Sequence, residues 1–230
     1  MDLATLKMYL FPLAEGASAT IALFFPTAFL AVALGLVVCF CRMSSNGLVR
    51  GVAKGYIEII RGTPLLVQLF FIYYGMPEIG IVLPGFVAGV IGLTINLSAY
   101  LAELFRGGIQ SVDAGQYEAA RALGLTRLQR LRAVILPQAG RMIFPALGNY
   151  ALVLVKESSL VAVISVYELM RAGEMLAGAT FKSLLVYSLV GAVYFLLCSV
   201  VSGAFRWGER RLAVPGYWDG AAGHDHLSKA

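Results

Sequence analysis

The feature that most constrains this chain is a series of long apolar runs bordered by basic residues. The first run covers residues 17–41, and four further apolar segments follow it along the 230-residue sequence. About 20 apolar residues suffice for a helix to cross the hydrocarbon core of a bilayer. A helix also satisfies its backbone hydrogen bonds within one segment, as lipid requires. The sequence therefore predicts an all-α, multi-pass membrane protein with about five transmembrane helices.

The composition supports a membrane environment and excludes a soluble interaction module. The chain is 59% hydrophobic and 13% charged, with a mean hydropathy of +0.80, whereas soluble domains are close to half apolar and a quarter charged. No polar linker divides it, so we expect one membrane domain over residues 1–212 and a cytoplasmic tail over residues 213–230. The start, Met-Asp-Leu, lacks a basic region and a cleavage site, so no removable signal peptide is expected.

The predicted spans fix where the polar segments fall. The later spans are expected at residues 56–76, 85–105, 143–166 and 183–205. A polar stretch over residues 107–141 separates the third and fourth spans, and a short segment over residues 167–182 separates the fourth and fifth. Five spans place the two chain ends on opposite sides of the membrane.

The basic residues predict the orientation of the chain. If the N-terminus lies outside, the basic residues on the cytoplasmic side are Arg42, Arg50, Lys54, Arg61, Arg106, Arg121, Arg127, Arg130, Arg132, Arg141, Arg206, Arg210, Arg211 and Lys229. The outer side then holds Lys7, Arg171 and Lys182. This asymmetry of 14 against 3 follows the positive-inside rule. The N-terminus is therefore expected outside, and residues 107–141 and the C-terminus in the cytoplasm.

The second span contains a predicted break. Thr63 suits a helix N-cap with Pro64 at the first helical position, and Gly62 can end the turn before it. Residues 64–76 reach only about 20 Å at 1.5 Å per residue, so residues 56–60 must extend the span across a kink. Broken helices are tolerated in membranes where protein or a water-filled cavity surrounds the freed backbone.

A second interpretation of this break stays open. The segment is equally an interfacial helix start without a role in transport. Glu58 and Arg61, three residues apart, then simply form a local ion pair.

The third span carries a narrow stripe of small and polar residues. At a period near 3.6, one face holds Gly85, Gly89, Gly92, Asn96, Tyr100, Glu103 and Gly107. Small residues allow close helix approach, and polar residues within spans mark transport pathways. Asn96 and Glu103 are therefore pathway candidates. The alternative is that they only hold helices together.

The fourth span contains a charged pair, Lys156 and Glu157, followed by Ser158 and Ser159. Adjacent residues point about 100° apart on a helix, so the two charges cannot both face one partner ideally. One arrangement has Lys156 near a substrate carboxylate and Glu157 near an amino group. The alternative is a buried structural ion pair of Lys156 with Glu103 or with Glu157 itself.

The cytoplasmic stretch predicts two short helices. Residues 118–123 form a helix-favouring run that Gly124 stops. Residues 126–129 open a second helix with a capping-box pattern, and Pro137 is expected to end it. Two such helices held against the membrane form a rigid knob for a cytoplasmic partner. On composition alone, an ordinary amphipathic surface loop is the alternative.

The spacing in this stretch resembles the EAA loop of bacterial ABC importer permeases. The matching elements are Glu118-Ala119-Ala120, Gly124 and the run Val134-Ile135-Leu136-Pro137, with Val134 where isoleucine is usual. Three further segments resemble the polar amino-acid branch, namely the histidine, glutamine, arginine and cystine permeases: Arg61 through Gln68, Ala99 through Glu103, and Lys156 through Leu160. The resemblance covers about residues 15–212. It implies a type I importer permease in the bacterial inner membrane.

The resemblance also implies partners and roles. A coupling helix containing Glu118, Ala119, Ala120 and Gly124 would dock on a separate cytoplasmic ATPase dimer, which binds ATP and magnesium. This chain has no P-loop motif and is expected to carry no cofactor and no enzymatic activity. An extracytoplasmic binding protein would deliver the amino acid, and a second permease subunit, identical or paralogous, would complete the pathway.

The expected pathway residues and the competing functions complete the prediction. The pathway candidates are Gln68, Asn96, Tyr100, Glu103, Lys156, Glu157, Ser158 and Ser159. A self-contained secondary transporter or channel is the competing function, but it would require the EAA spacing to be a coincidence. A membrane enzyme is disfavoured, because the two histidines, His224 and His226, lie in the tail and the three cysteines have no metal-site spacing.

Overall fold

The computed structural model describes residues 3–212, and every regular element in that range is helical. The helices are α1 (Leu3–Arg42), α2 (Gly47–Gly62), α3 (Leu65–Phe70), α4 (Gly85–Gln110), α5 (Ala114–Ala122), α6 (Arg127–Arg130), α7 (Leu136–Glu157), α8 (Leu169–Thr180) and α9 (Ser183–Leu212). A π turn (Phe71–Gly75) and a 3-10 turn (Met76–Ile79) prolong α3, a π turn (Leu131–Ile135) joins α6 to α7, and a 3-10 segment (Ser158–Ile164) follows α7. The predicted tail over residues 213–230 lies outside the described residues.

The membrane-crossing elements confirm the expected number of spans. Four stretches within residues 3–212 are long and apolar enough to cross a bilayer: Lys7–Arg42, Gly85–Gln110, Arg127–Ile164 and Ser183–Leu212. A fifth forms if α2 and the helical segment Leu65–Ile79 are counted as one broken span. The fold is thus an all-helical membrane bundle with four or five spans.

Helix α4 forms the centre of the bundle. About two thirds of its most apolar stretch is buried, against 11% for α9, and α1, α2, α3 and α7 all contact it. Leu93, Leu97 and Leu101 point from α4 into the main apolar core. A smaller core joins α1, α8 and α9 around Leu13 and Leu169. Helix α9 therefore lies at the periphery, and its exposed apolar side chains suit lipid or another subunit.

Helix α8 is fixed between α1 and α9 by Glu168, whose side chain is fully buried. Its carboxylate accepts hydrogen bonds from the amides of Met170 (2.9 Å) and Arg171 (2.8 Å) and from the Tyr194 hydroxyl (2.8 Å). Burial raises the pKa of the Glu168 carboxyl, against these three bonds, which lower it. The amide of Leu169, the residue after Glu168, donates to the hydroxyl oxygen of Thr20 on α1 (3.2 Å). Glu168 thus caps α8 and joins it to α9, while the Leu169 amide joins it to α1.

The predicted end of the helix after the capping box was wrong. Thr126 and Gln129 form the expected capping box, but the helix then continues through Pro137 into α7. A proline inside a helix has no N–H to donate, which normally breaks it. Here the π turn just before it already replaces the usual bonding pattern, because the Leu136 amide bonds to the Leu131 carbonyl. π turns accommodate such interruptions inside otherwise regular helices.

The break in the second span is much sharper than the predicted kink. The axes of α2 and of the segment Leu65–Ile79 differ by 104°, so residues 56–60 do not prolong α3 in its own direction. The prediction that Thr63 caps α3 was wrong. The Thr63 hydroxyl donates backwards to the Ile59 carbonyl (2.9 Å) and thereby closes α2. The carbonyl of Pro64 instead accepts the first amide bonds of α3.

Two smaller expectations, for the pairing of Glu58 and for the end of the third span, also changed. Glu58 pairs with Lys54 at 3.5 Å and not with Arg61, since the i,i+4 partner lies on the same exposed face of α2. The third span was expected to end at residue 105, but α4 continues to Gln110. Its last turns remain helical in part because Arg106 bonds both Glu103 and Gln110 along one face.

Candidate functional site

The N-terminal half of the stripe on α4 is a close-packing surface, as the sequence predicted. A Cβ atom at Gly92 would lie 2.6 Å from Leu69 of α3, and one at Gly89 would lie 3.1 Å from Val161 of the 3-10 segment. Distances this short exclude a larger residue without movement of the neighbours. Glycine therefore allows α3 and the 3-10 segment to approach α4.

The middle of the stripe forms a polar connection across the sharp bend. The Asn96 side-chain amide donates to the Gln68 side-chain oxygen at 3.1 Å. The Gln68 amide in turn donates to the carbonyl of Ile60 (2.8 Å) and to the hydroxyl of Thr63 (2.9 Å). Gln68 thus satisfies backbone groups that the end of α2 leaves free. Two predicted pathway residues lie together here, and their side-chain polar groups bond to neighbouring elements of the same chain.

A second anchor holds α2 to the same level of α4. The Tyr56 hydroxyl donates to the Ile95 carbonyl (3.0 Å) and contacts the Ser98 hydroxyl at 2.7 Å. Ile95, Asn96 and Ser98 lie within one turn of α4. Both sides of the bend are therefore clamped to a single turn of the central helix.

The C-terminal part of the stripe carries aromatic and charged contacts. The guanidinium of Arg61 lies 5.2 Å from the centre of the Tyr100 ring, and the Tyr150 ring is 6.3 Å from Tyr100. Glu103 binds Arg106 at 2.6 Å, and both side chains are partly exposed. The alternative of a Lys156–Glu103 ion pair is not found. Tyr100 and Glu103 lie on the predicted face, and each contacts an arginine, Arg61 and Arg106 respectively.

The charged pair at the end of α7 has no ionic partner among residues 3–212. Lys156 is exposed and Glu157 is half-buried. The Ser158 and Ser159 hydroxyls donate back to the carbonyls of Val155 (2.8 Å) and Lys156 (2.7 Å). The structural ion pair considered from the sequence is therefore absent from this part of the chain.

Lys156 lines a groove of about 270 Å³ between α7 and α9. The other lining residues are Leu152, Tyr194, Phe195 and Cys198. The groove is thus apolar apart from a lysine and a tyrosine hydroxyl. The eight predicted pathway residues consequently fall into three groups: Gln68 with Asn96, Tyr100 with Glu103, and Lys156 through Ser159. Within residues 3–212, no hydrogen bond joins the last group to the others.

The loop after α4 forms the first predicted short helix, α5, whereas the second, α6, is the opening turn of the helix that continues into α7. Asp113 caps α5 by accepting the Gly115 amide at 2.8 Å. The chain then turns at Gly124, which has a φ of +75° and no atom within 4 Å of a Cβ position. Glycine adopts this left-handed conformation without steric cost. Within the loop, Ala120 is buried whereas Glu118 and Ala119 face outward.

Two contacts hold α5 against the rest of the chain. The Tyr117 hydroxyl donates to the Ile109 carbonyl at 3.0 Å, and partial burial raises the pKa of that phenol. The Gln138 amide donates to the Gln116 side chain at 3.1 Å. The loop is therefore a defined knob, attached to the ends of both α4 and α7.

Sequence reasoning missed three residues. Leu123 is 79% exposed and Leu128 is 54% exposed at the tip of the knob, where two large apolar side chains beside a turn indicate a contact surface. Glu168, the buried cap of α8, was also missed. A single acidic residue followed by a helix-favouring run was its only sequence signal.

Comparison with known proteins identifies close counterparts. Residues 30–214 match the family of binding-protein-dependent transport system inner membrane components. A probable amino-acid ABC transporter permease of Bacillus subtilis (strain 168) is 40% identical over 82% of this chain and 83% of its own. The glutamine transport system permease of Escherichia coli (strain K12) is 39% identical over 79% and 84%. A crystal structure of an amino acid ABC transporter with histidines is 42% identical, with a TM-score of 0.85, over 92% of this chain and 99% of that one.

Proposed function

The chain belongs to the family of binding-protein-dependent transport system inner membrane components, and from this membership we propose that it carries a polar amino acid of the cystine, basic or glutamine class into the cytoplasm. It is a transport subunit of an ABC importer. The observation that supports this function best is the cytoplasmic knob formed by α5, Gly124 and α6. In our proposal this knob is the coupling element that docks on the ATPase.

The knob supports a specific docking surface. Glu118 and Ala119 are exposed on α5, while Ala120 packs inward. Gly124 stops α5 and turns the chain so that Leu123 projects from the tip. In our proposal this surface enters a groove of the partner ATPase. ATP and magnesium bind to that partner, and the rigid attachment of α5 transmits its movement to α4 and α7.

The direction of transport follows from the proposed orientation. With the N-terminus outside, the EAA knob and 14 of the 17 basic residues assigned to either side lie in the cytoplasm. An extracytoplasmic binding protein then meets the opposite face, near α8. A second permease subunit, identical or paralogous, completes the pathway, and closure of the two ATPases opens its outer gate.

The end of α7 is the proposed contact with the amino acid. Lys156 presents a cation in an apolar groove, where a substrate carboxylate would supply the missing counter-charge. Glu157 supplies a carboxylate for the amino group, with Ser158 and Ser159 beside it. The groups formed by Gln68 with Asn96 and by Tyr100 with Glu103 would line the route towards the cytoplasm. Relatives named for glutamine and nopaline support a polar substrate.

The deciding experiment is reconstitution in nanodiscs with the neighbouring ATPase and binding protein. The ATPase rate is measured against a panel of amino acids, each loaded on the binding protein. Stimulation by one or two amino acids supports the importer and identifies its substrate. Failure to bind any ATPase subunit would favour the secondary transporter or channel.

The docking assignment has its own test at Gly124. The Gly124→Asp variant should insert normally and lose coupled uptake, because it adds a charge to the docking surface. Gly124→Asn is the matched control, since asparagine has nearly the same shape as aspartate without its charge. Both residues tolerate the left-handed conformation. Retained uptake in Gly124→Asp, or equal loss in both variants, would show that no charge-sensitive contact with the ATPase is made at this position.

A further inference from the structure

Helix α2 has three distinct faces. Ala53 and Ile57 are buried against α1 and α4. A second face exposes Leu48 (77%), Val52 (68%) and Ile59 (66%). These three residues, at spacing i, i+4 and i+11, form a continuous stripe that we call the apolar stripe of α2.

The third face of α2 is basic. Arg50, Lys54 and Arg61 repeat the same i, i+4, i+11 spacing two residues further along the helix. A shift of two residues is about 200° of rotation, so these cations lie almost opposite the apolar stripe. Glu58 offsets one charge through its 3.5 Å pair with Lys54. The helix is therefore strongly amphipathic, with a net charge of +2 from three cations and one carboxylate.

The direction of α2 differs from that of a span. Its axis lies 104° from that of the helical segment Leu65–Ile79. The anchors described above, Tyr56 on one side of the bend and Gln68 on the other, fix this angle on α4. If the segment after the bend crosses the bilayer, α2 runs close to the membrane plane for about 24 Å, at 1.5 Å per residue.

The start of α2 lies near the proposed cytoplasmic end of α1. Only four residues separate Arg42 from Gly47, and Asn46 caps α2 by accepting the Leu48 amide at 2.9 Å. An amphipathic helix with basic residues on its polar face lies in the membrane interface, with its apolar face in the acyl boundary. The cytoplasmic leaflet carries the anionic lipids that attract such a face.

We infer that α2 is a membrane-surface helix that binds anionic phospholipids of the cytoplasmic leaflet. The apolar stripe enters the acyl boundary while Arg50 and Lys54 reach the phosphate groups. This inference rests on the orientation proposed above. A protein partner that covered the apolar stripe would leave the cations of the opposite face without counter-charges. A phospholipid surface provides both chemistries, because long cationic side chains on the polar face of an interfacial helix reach the headgroups.

The first test maps which face of α2 meets lipid. In full-length permease with Cys39, Cys41 and Cys198 replaced by alanine, an environment-sensitive fluorophore is attached at position 52 or at position 54 through V52C or K54C. The labelled protein is placed in nanodiscs containing phospholipids brominated on their acyl chains. The label at position 52 should be quenched at least threefold more than the label at position 54. Equal quenching at both positions, or none at position 52, would overturn the inference.

A second label on the V52C variant distinguishes contact with lipid from contact with a second copy of the chain. A spin label at position 52 would show a short distance to its counterpart if two α2 helices packed together. That result, with a label protected from brominated lipid, would assign the stripe to a subunit interface and reject lipid binding. Because no ATPase or substrate is present, these outcomes are independent of the transport assay.

The second test concerns the lipid charge. We compare quenching at position 52 as phosphatidylglycerol is raised from zero to half of a phosphatidylcholine nanodisc. The Arg50→Gln/Lys54→Gln variant should need about tenfold more phosphatidylglycerol, less than the two cations would give at about 1 kcal/mol each, because Glu58 already offsets Lys54. The Lys7→Gln/Lys182→Gln control removes the same charge from the opposite side and should behave like the parent. Equal shifts in both variants, or none in either, would reject a lipid-binding basic face.

Discussion

Two polar regions of the predicted pathway are built in contrasting ways. At the bend between α2 and α3, Gln68 and Asn96 bond to each other and to the free backbone of α2. At the end of α7, Lys156 and Glu157 have no ionic partner within residues 3–212. Both regions place polar groups in membrane-spanning segments, where an unsatisfied group is costly.

The contrast suggests that the polar groups at the bend stabilise the fold, whereas the charges at the end of α7 are available to bind another molecule. The polar groups at the bend are hydrogen-bonded within a single chain, across a 104° change of helix direction. The charges of α7 have no ionic partner within residues 3–212, and in our proposal a substrate supplies one. The first region should therefore respond to mutation in stability and the second in transport.

The largest effect is expected for Lys156→Met. Its loss removes a charged hydrogen bond to the proposed substrate carboxylate, worth about 1.5–3 kcal/mol, or roughly ten- to hundredfold in uptake. Thermal stability should stay unchanged, because no ionic partner within residues 3–212 is lost. Initial uptake rates in proteoliposomes with the ATPase and binding protein test this. Lys182→Met is the control, and full uptake by Lys156→Met would place Lys156 outside the pathway.

Glu157→Gln should have the next largest effect. The variant keeps the size of the side chain but removes the charge proposed to meet the substrate amino group, so affinity should fall about tenfold or the preference among amino acids should change. Competition uptake with a panel of amino acids measures both. Glu78→Gln, in the exposed 3-10 turn after α3, is the matched control. An unchanged profile would assign Glu157 a structural role.

Asn96→Leu tests the bend. The substitution leaves the Gln68 oxygen without its donor and should lower the free energy of unfolding by about 1 kcal/mol. Thermal unfolding in detergent gives the difference. Thr94→Val on the same helix is a suitable control, because the buried Thr94 hydroxyl has no hydrogen-bond partner within residues 3–212 and its replacement should be neutral. Equal effects of the two variants would mean that the Gln68–Asn96 bond contributes nothing.

Tyr56→Phe should have the smallest effect, about 0.5 kcal/mol of unfolding free energy. The Ile95 carbonyl also accepts from the Ser98 hydroxyl at 2.8 Å, so it keeps a partner when the phenol is removed. Tyr74→Phe, at an exposed side chain, is the comparison for a tyrosine outside this clamp. A loss as large as that of Asn96→Leu would show that Tyr56 is the main anchor of α2.

Local chemistry made much of the site predictable. The capping box at Thr126 and Gln129 and the stop at Gly124 depend on residues within one turn, and both are found. The predictions at Thr63 and Pro137 failed because local sequence did not decide between two conformations. Each residue has two local solutions, and the choice depended on the preceding turn, which closes backwards on Ile59 in one case and widens into a π turn in the other.

The sequence by itself determined the membrane class, the number of spans, the distribution of basic residues and the helical form of the knob after α4. These follow from transfer energies and capping, which act along the chain and hardly depend on its neighbours. Tertiary structure alone decided the angle of the bend, the pairing of Gln68 with Asn96, the burial of Glu168 beneath Tyr194 and the isolation of Lys156. Each of these depends on which helices meet in space, because a buried polar group is satisfied by whatever partner packing brings within 3 Å or so, however distant that partner is in the sequence.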